Sequence, residues 1–358
     1  MNVADFDFDL PASQIAQEPA PRGESRLLVL HRQTGLVAHA RTAQIGQYLR
    51  AGDLLVVNDT RVFPARLLGR RVPSGGAVEC LLMGAGRPVD AEPGAEEWDA
   101  LVHPGQKLKP GARMAFEGPA REQGPVLHGQ ILARRFQGRR TIRLWEVSGG
   151  SVSAAVDAIG HVPLPPYIDR ADRPDDRDRY QTVYARVRGS IAAPTAGLHF
   201  TDALLGDLAA RGVRRTDVTL HVGYGTFKPV RVERVEEHTV DAEAFEVSTA
   251  AAAAISTARR EGRRVIAVGT TTARVLESLA LDAAGGVEPA RGETGTFIYP
   301  GHRFRVLDGL VTNFHLPRSS LLMLVCAFGG RDPVLAAYRE AVAAGYRFYS
   351  YGDAMLVV

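Results

Sequence analysis

Between residues 66 and 150 the chain is written in short runs, "AVECLLM", "EWDALVHPG", "ARMAFE", "VLHGQILARRF" and "RTIRLWEV", divided by turns such as "LKPGA". Runs of this length between Gly- and Pro-rich turns specify a small β sandwich or barrel. The flanks have another texture. An apolar strand, "GDLLVVND" (52–59), precedes the block, and helices alternate with strands after it. "TDALLGDLAARG" predicts a helix capped by Thr201 and ended by Gly212. "TAAAAAIS" predicts another that stops at Gly262, "DVTLHVGYGTF" a strand, and "RRVIAVGTTTARVLESLA" a strand feeding a helix. A chain that starts an α/β pattern, leaves it and returns is most simply a discontinuous α/β domain, 1–65 and 151–358, interrupted by a small all-β domain, 66–150.

Composition places this architecture in water. Of the 358 residues 45% are hydrophobic and 23% charged, as in a soluble globular protein. No stretch approaches the ~20 apolar residues of a membrane span. The opening "MNVADFDFDL" is acidic and lacks the layout of a signal peptide, so the expected location is the cytoplasm, with no membrane partner. Cys80 and Cys326 stand too far apart for a metal-ligand spacing, which argues against a disulfide scaffold or a structural zinc. The net charge of +3 proves no nucleic-acid partner. The block 66–150 nevertheless holds 13 basic and 9 acidic residues, with Arg134, Arg135, Arg139 and Arg140 inside "RRFQGRRTIR". Two readings stand for these arginines: a charged edge strand, or contacts to backbone phosphates.

Several segments share one character: small residues at a strand end, one or two polar groups, then a helix or turn. Such loops let a ligand approach the backbone. "VVNDTRVFPAR" presents Asn58, Asp59, Thr60 and Arg61 after an apolar strand. "SIAAPTAGLHFTDALL" carries Pro194, Thr195, Gly197, His199 and Phe200. "LHVGYGTFKPV" sets His221 before Gly223, Tyr224, Gly225, Thr226 and Phe227, which suits a planar ring. "VIAVGTTTARVLES" starts a helix at Thr270, Thr271 and Thr272, where free amide N–H groups attract an anion. "LVTNFHLPRSSLLMLVCAFGG" places Asn313, His315, Arg318 and Ser319 before an apolar helix. "VEEHTVDAEAFEV" gathers Glu236, Glu237, His238, Asp241 and Glu243, but with a single histidine it is a solvated face or an acid–base group rather than a metal centre. "DRPDDRDRYQTVYAR" is a charge run from which Arg179 and Tyr180 could fold over a pocket. The Walker, Gly-x-Gly-x-x-Gly and Gly-x-Ser-x-Gly motifs are absent. By residues alone this is a polar, loop-built pocket without a defined reaction.

Taken in order, these segments resemble the S-adenosylmethionine:tRNA ribosyltransferase-isomerase family of queuosine biosynthesis. The resemblance runs from "FDFDLPASQIAQEPAPRGESRLLVL" through "GHVPLPPYIDR" and "APTAGLHFT" to "YRFYSYGDAML", nearly the whole chain. It implies an α/β domain with a barrel-like sheet and an inserted β domain. It also implies transfer and isomerisation of the ribosyl part of S-adenosylmethionine onto 7-aminomethyl-7-deazaguanine at the tRNA wobble position. The products would be epoxyqueuosine-tRNA, adenine and methionine. S-Adenosylmethionine is then a substrate, with no permanently bound cofactor and no metal, and the enzyme is expected to be a monomer.

That reaction needs a base beside the sulfonium, a proton for departing adenine and a pocket for a cation. Phe200, Tyr224, Phe227 and Glu237 have the chemistry to hold the cation. His199, His221, His238 and His315 suit proton transfer, with His199 and His315 as the favoured pair. The Thr270–Thr272 helix start suits a methionine carboxylate or a phosphate. One departure stands out: after Glu237-His238 the family continues Met-His-x-Glu, whereas Asp241 replaces that histidine here. Two rivals therefore remain, a paralogue acting on another nucleobase or small molecule, and a non-catalytic RNA-binding relative.

Overall fold

The computed structural model of the protein describes residues 1–90, 92–118, 124–135 and 138–358, without the side chain of Phe227. The chain opens with an antiparallel pair, β1 (Arg26–His31) and β2 (Leu36–Arg41). β3 (Leu54–Asn58), the "LLVVN" run, is buried along its whole length. A short β4 (Thr60–Val62) leads to six strands: β5 (Arg66–Val72), β6 (Ala77–Pro88), β7 (Ala95–His103), β8 (Arg113–Glu117), β9 (Pro125–Arg134) and β10 (Arg139–Glu146). All are antiparallel and close into a barrel in the order β10-β7-β6-β5-β8-β9. Alternation along the strands sends Val78, Cys80, Leu82, Trp98, Ile131, Ile142 and Leu144 into its interior.

Closure corrects one expectation. β10 pairs with β7 on one side and β9 on the other, so the "RRTIR" segment lies on no sheet edge. Its arginines also divide. The Arg140 guanidinium is buried and donates to the carbonyls of Leu108, Gly105, Gly138 and Arg139, which leaves it no part in phosphate binding. Arg139 donates to Asp241 at 2.7 Å and so ties the barrel to the main sheet. Arg134 and Arg135 are exposed, the latter donating to Thr141.

After the barrel come α1 (Val152–Ile159), α2 (Asp176–Arg179) and β11 (Val187–Ser190), which lies parallel to β4. Then α3 (Asp202–Ala210), β12 (Arg214–Leu220), β13 (Glu243–Val247), α4 (Thr249–Arg260), β14 (Val265–Val268) and α5 (Thr270–Ser278) alternate. β15 (Ala290–Thr294), β16 (Gly309–Asn313), α6 (Ser320–Gly329), α7 (Arg331–Ala343) and β17 (Ala354–Val357) complete the chain. Nine strands form one sheet ordered β15-β13-β12-β3-β14-β16-β17-β1-β2, with β12, β3, β14 and β16 parallel. The closed sheet is thus the inserted one, and the main sheet runs between two end strands.

Period-2 alternation covers both faces of this sheet, as buried parallel strands require. Leu28, Leu30, Leu54 and Val56 join one core with side chains of α4 to α7, while Leu27, Val29, Leu55 and Val57 join another with Leu204 and Leu208 of α3. The helices start where the sequence places them. Thr201 Oγ1 accepts from the Leu204 N–H, and Ser248 Oγ caps α4 in the same way. Gly212 follows α3 with φ +83°, a conformation that favours glycine. The predicted strand 217–227 is shorter than expected: it stops at Leu220, and residues 224–227 form a 3₁₀ turn instead. Among the described residues no single helix is long and apolar enough to cross a membrane.

Arg140→Ala removes the guanidinium donor from the carbonyls of Leu108, Gly105 and Gly138, while that of Arg139 keeps the Arg135 N–H. The substitution is expected to cost about 2–4 kcal/mol in urea unfolding, against less than about 0.5 kcal/mol for Arg134→Ala. Equal small losses would return Arg140 to the solvated arginines.

Candidate active site

The parallel strands β12, β3, β14 and β16 deliver four of the singled-out loops to one side of the sheet, at their carboxyl ends, where α/β proteins build ligand crevices. Asn58 ends β3 fully buried. Its Oδ1 accepts from the Leu220 and Thr60 N–H groups and its Nδ2 donates to the Leu220 carbonyl, so the amide locks β3 to β12 rather than facing a ligand. Asp59 is equally committed, accepting from Thr219 Oγ1 and from Arg186, each at 2.6 Å. Thr60 Oγ1 lies 2.8 Å from His221 Nδ1. These residues hold the strand ends in register.

Beside them opens a cleft of two lobes that share Thr226 and Leu321. One lobe is charged: Glu243, Arg274 and Asp241 line it together with Gly225 and Ser320. Glu243 Oε2 accepts from Arg274 at 2.5 Å, while its Oε1 accepts from the Gly223 N–H and the Thr226 hydroxyl. Arg274 donates further to the carbonyls of Thr294 and Thr296. The approach of Asp241 leaves no room for a side chain at position 225, where an added Cβ would stand 2.8 Å from that of Asp241. The other lobe is aromatic: Tyr167, Tyr180 and Tyr349 line it with Thr195, Asn313 and His315. Burial raises all three phenols, Tyr349 to about 12, so they stay protonated at neutral pH. Tyr349 has φ +75°, a left-handed backbone uncommon for so bulky a side chain.

The four histidines do not share one environment. His315 is buried, its Nε2 2.9 Å from Thr312 Oγ1, and desolvation lowers it to about 3. His199 is buried too, lowered to about 4 by desolvation and then by Arg347, and its Nε2 meets Asn313 Nδ2 at 3.1 Å. It lines a separate small cavity with Arg179, whose guanidinium donates to the carbonyls of Pro19 and Ala20. His221 is lowered chiefly by desolvation and lies against Gly189. His238, half-buried and lowered by desolvation, stacks edge-on against Phe297 with ring centroids 5.0 Å apart. Glu237 is exposed outside the cleft, contrary to its expected place beside a cation.

Other expectations are corrected by packing. Phe200 belongs to the core with Leu204 and Leu208, and Tyr224 packs against the barrel's core, so neither presents a face to the cleft. Arg318 pairs with Asp7 at the surface. Thr272 Oγ1 donates to the Val268 carbonyl, Thr271 Oγ1 accepts from Asn58, and all three threonines at the α5 start are buried away from the lobes. Arg61 is exposed in a different groove, with Arg177 and Arg188. Ser319 caps α6, accepting from the Leu322 N–H, while Ser320 beside it lines the charged lobe. Gly197 is pressed against Tyr184, and Pro194 precedes its 3₁₀ turn, so both shape the loop that presents Thr195. The side chain of Phe227 lies outside the described residues. Sequence reasoning missed Arg274, Tyr167 and Tyr349, although all three lie in quoted segments, "VIAVGTTTARVLES", "GHVPLPPYIDR" and "YRFYSYGDAML".

Residues 3–357 match the profile of the queuosine biosynthesis protein family. The chain belongs to that family. It is 51% identical to the S-adenosylmethionine:tRNA ribosyltransferase-isomerase of Heliobacterium modesticaldum and 52% identical to that of Anaeromyxobacter dehalogenans, covering at least 99% of both chains in each pairing. It also resembles the crystal structure of S-adenosylmethionine tRNA ribosyltransferase from Thermotoga maritima, with 37% identity, a TM-score of 0.54 and coverage of 99% of this chain and 100% of that one. Within this family frame Asp241 acquires a visible task. It accepts from Arg139 of the barrel and from Lys228, both within 2.9 Å, at the rim of the charged lobe.

His199 and His315 are neutral when folded, at about 4 and about 3 against 6.5 unfolded. The unfolded chain therefore binds more protons below 6.5, so their contribution to stability is full above that value and is lost as pH falls toward 4. Urea unfolding at about pH 7 and about pH 5 is expected to show the loss, and His315→Gln to reduce it. An unchanged pH slope in the variant would contradict this.

Proposed function

We propose that the protein transfers and isomerises the ribosyl group of S-adenosylmethionine onto 7-aminomethyl-7-deazaguanine at the tRNA wobble position, giving epoxyqueuosine-tRNA, adenine and methionine. The observation that carries the reading is the two-lobed cleft at the strand carboxyl ends, in a chain that matches the family over its full length. Its chemistry suits the donor. Aromatic faces and a carboxylate stabilise a sulfonium cation, and the lobes offer both. His315 Nε2 is held by Thr312, which leaves Nδ1 as the ring nitrogen for proton transfer. The protonated phenols are donors for the departing base.

In this reading residues 1–65 and 151–358 carry the chemistry, and the barrel of 66–150 closes over one lobe through Arg139 and Asp241. Arg134 and Arg135, exposed on the barrel, contact tRNA phosphates. The enzyme works as a cytoplasmic monomer without a resident cofactor or metal.

Incubation with S-adenosylmethionine and tRNA bearing the aminomethyl base is expected to release adenine and methionine while the tRNA nucleoside becomes epoxyqueuosine. No release and an unchanged nucleoside would overturn the proposal. Tight tRNA binding without turnover would favour a non-catalytic RNA-binding role.

A further inference from the structure

Asn313 and Tyr180 each bring a buried polar atom without a protein partner to the aromatic lobe, and that of Asn313 is an acceptor whose orientation can be assigned. Asn313 ends β16 at 2% exposure and lines the aromatic lobe. Its Nδ2 lies 3.0 Å from the Tyr349 carbonyl and 3.1 Å from His199 Nε2. A carbonyl only accepts, so the amide nitrogen must face Tyr349, and the orientation of the side chain is fixed by chemistry. The second N–H then points to His199, which must accept through Nε2 and carry its own proton on Nδ1. Both donors are used. The opposite atom, Oδ1, is buried and has no partner in the protein. Leaving a buried amide oxygen unpaired is unfavourable unless a ligand or water supplies a donor.

The surroundings define that donor. Tyr167, Tyr180 and Tyr349 give the lobe aromatic walls, and Ala192 and Ala193 leave it space. Such a slot takes a planar ring with an N–H at its edge. The charged lobe next to it suits the zwitterionic end of an amino acid instead. We propose that the aromatic lobe receives the adenine of S-adenosylmethionine, that Asn313 Oδ1 accepts from its exocyclic amine, and that His199 is a positioning residue holding the Asn313 amide in the accepting orientation. The methionine end then lies toward Glu243 and Arg274. This rests on S-adenosylmethionine being the donor, and it adds the direction in which the molecule lies. It also gives a use to the left-handed backbone of Tyr349, which brings its carbonyl to Asn313.

The test compares binding of adenine with binding of purine, which lacks the amine, by titration calorimetry. The unaltered protein is expected to prefer adenine by roughly 10- to 100-fold, because purine leaves Oδ1 unpaired. Asn313→Ala, with its fold checked by circular dichroism, is expected to bring the two ligands within roughly threefold. His199→Leu frees the amide to turn and lowers the preference, whereas His199→Gln, which keeps an acceptor, restores it; a merely structural histidine would move both ligands together. Equal binding of adenine and purine to the unaltered protein overturns the proposal without recourse to any variant. Turnover of S-adenosylmethionine and tRNA alongside such equal binding would leave the functional reading standing and remove only this inference. A preference for adenine that Asn313→Ala leaves intact in a folded protein also removes it.

Discussion

Glu243 and Arg274 meet at 2.5 Å inside the protein, and four segments of chain are fixed by that meeting. Through Glu243 the end of β13 holds the Gly223–Thr226 turn; through Arg274 helix α5 holds the Thr294–Thr296 carbonyls. A buried ion pair recovers its desolvation cost only when the remaining lone pairs and N–H groups are also satisfied, and here both partners have several further bonds. Remove the cation and the buried carboxylate is left without its charge partner. The turn that separates the two lobes would then lose its anchor. Asn58 plays a neutral version of the same part at the centre of the sheet, clamping β3 to β12 by two bonds to the Leu220 backbone and holding the Thr60 N–H by a third.

Much of the scaffold was legible because it obeys local rules. The alternation in "LLVVN" and "RLLVLH" assigns residues to two opposite cores, and both cores exist. Thr201, Ser319 and Gly212 act at helix ends by chemistry that a few residues of sequence reveal. The short runs of 66–150 indicated a small barrel or sandwich, and closure settles which. The same closure explains why the arginine run misled: an edge strand and a doubly paired strand carry similar alternation, and only the neighbours differ.

The candidate site was legible in its loops and opaque in its partners. Four of the singled-out strand ends reach the same side of the sheet, since a parallel sheet collects its carboxyl ends. Which residue then faces a ligand is a matter of pairings across long separations. Glu243 finds Arg274 across 31 residues and His199 finds Asn313 across 114, distances over which no periodicity reports. Phe200 and Tyr224 sat in small-residue loops that suit a ligand, yet Phe200 is buried in a core and Tyr224 packs half-buried against the barrel's. Apolar area gained by burial outweighs an open ring face in water. Tyr167 and Tyr349 supply the aromatic walls in their place, from the segments "GHVPLPPYIDR" and "YRFYSYGDAML", whose residues by themselves indicate no ligand.

In the proposed binding mode the donor lies across the two lobes with Thr226 at the boundary. A crystal structure of the protein with S-adenosylmethionine bound is the most direct measurement. The ring is expected among Tyr167, Tyr180 and Tyr349 with its amine at Asn313, and the amino-acid end at the Glu243–Arg274 lobe. Density for the molecule in another cavity, such as the arginine groove beside Arg61, would contradict it.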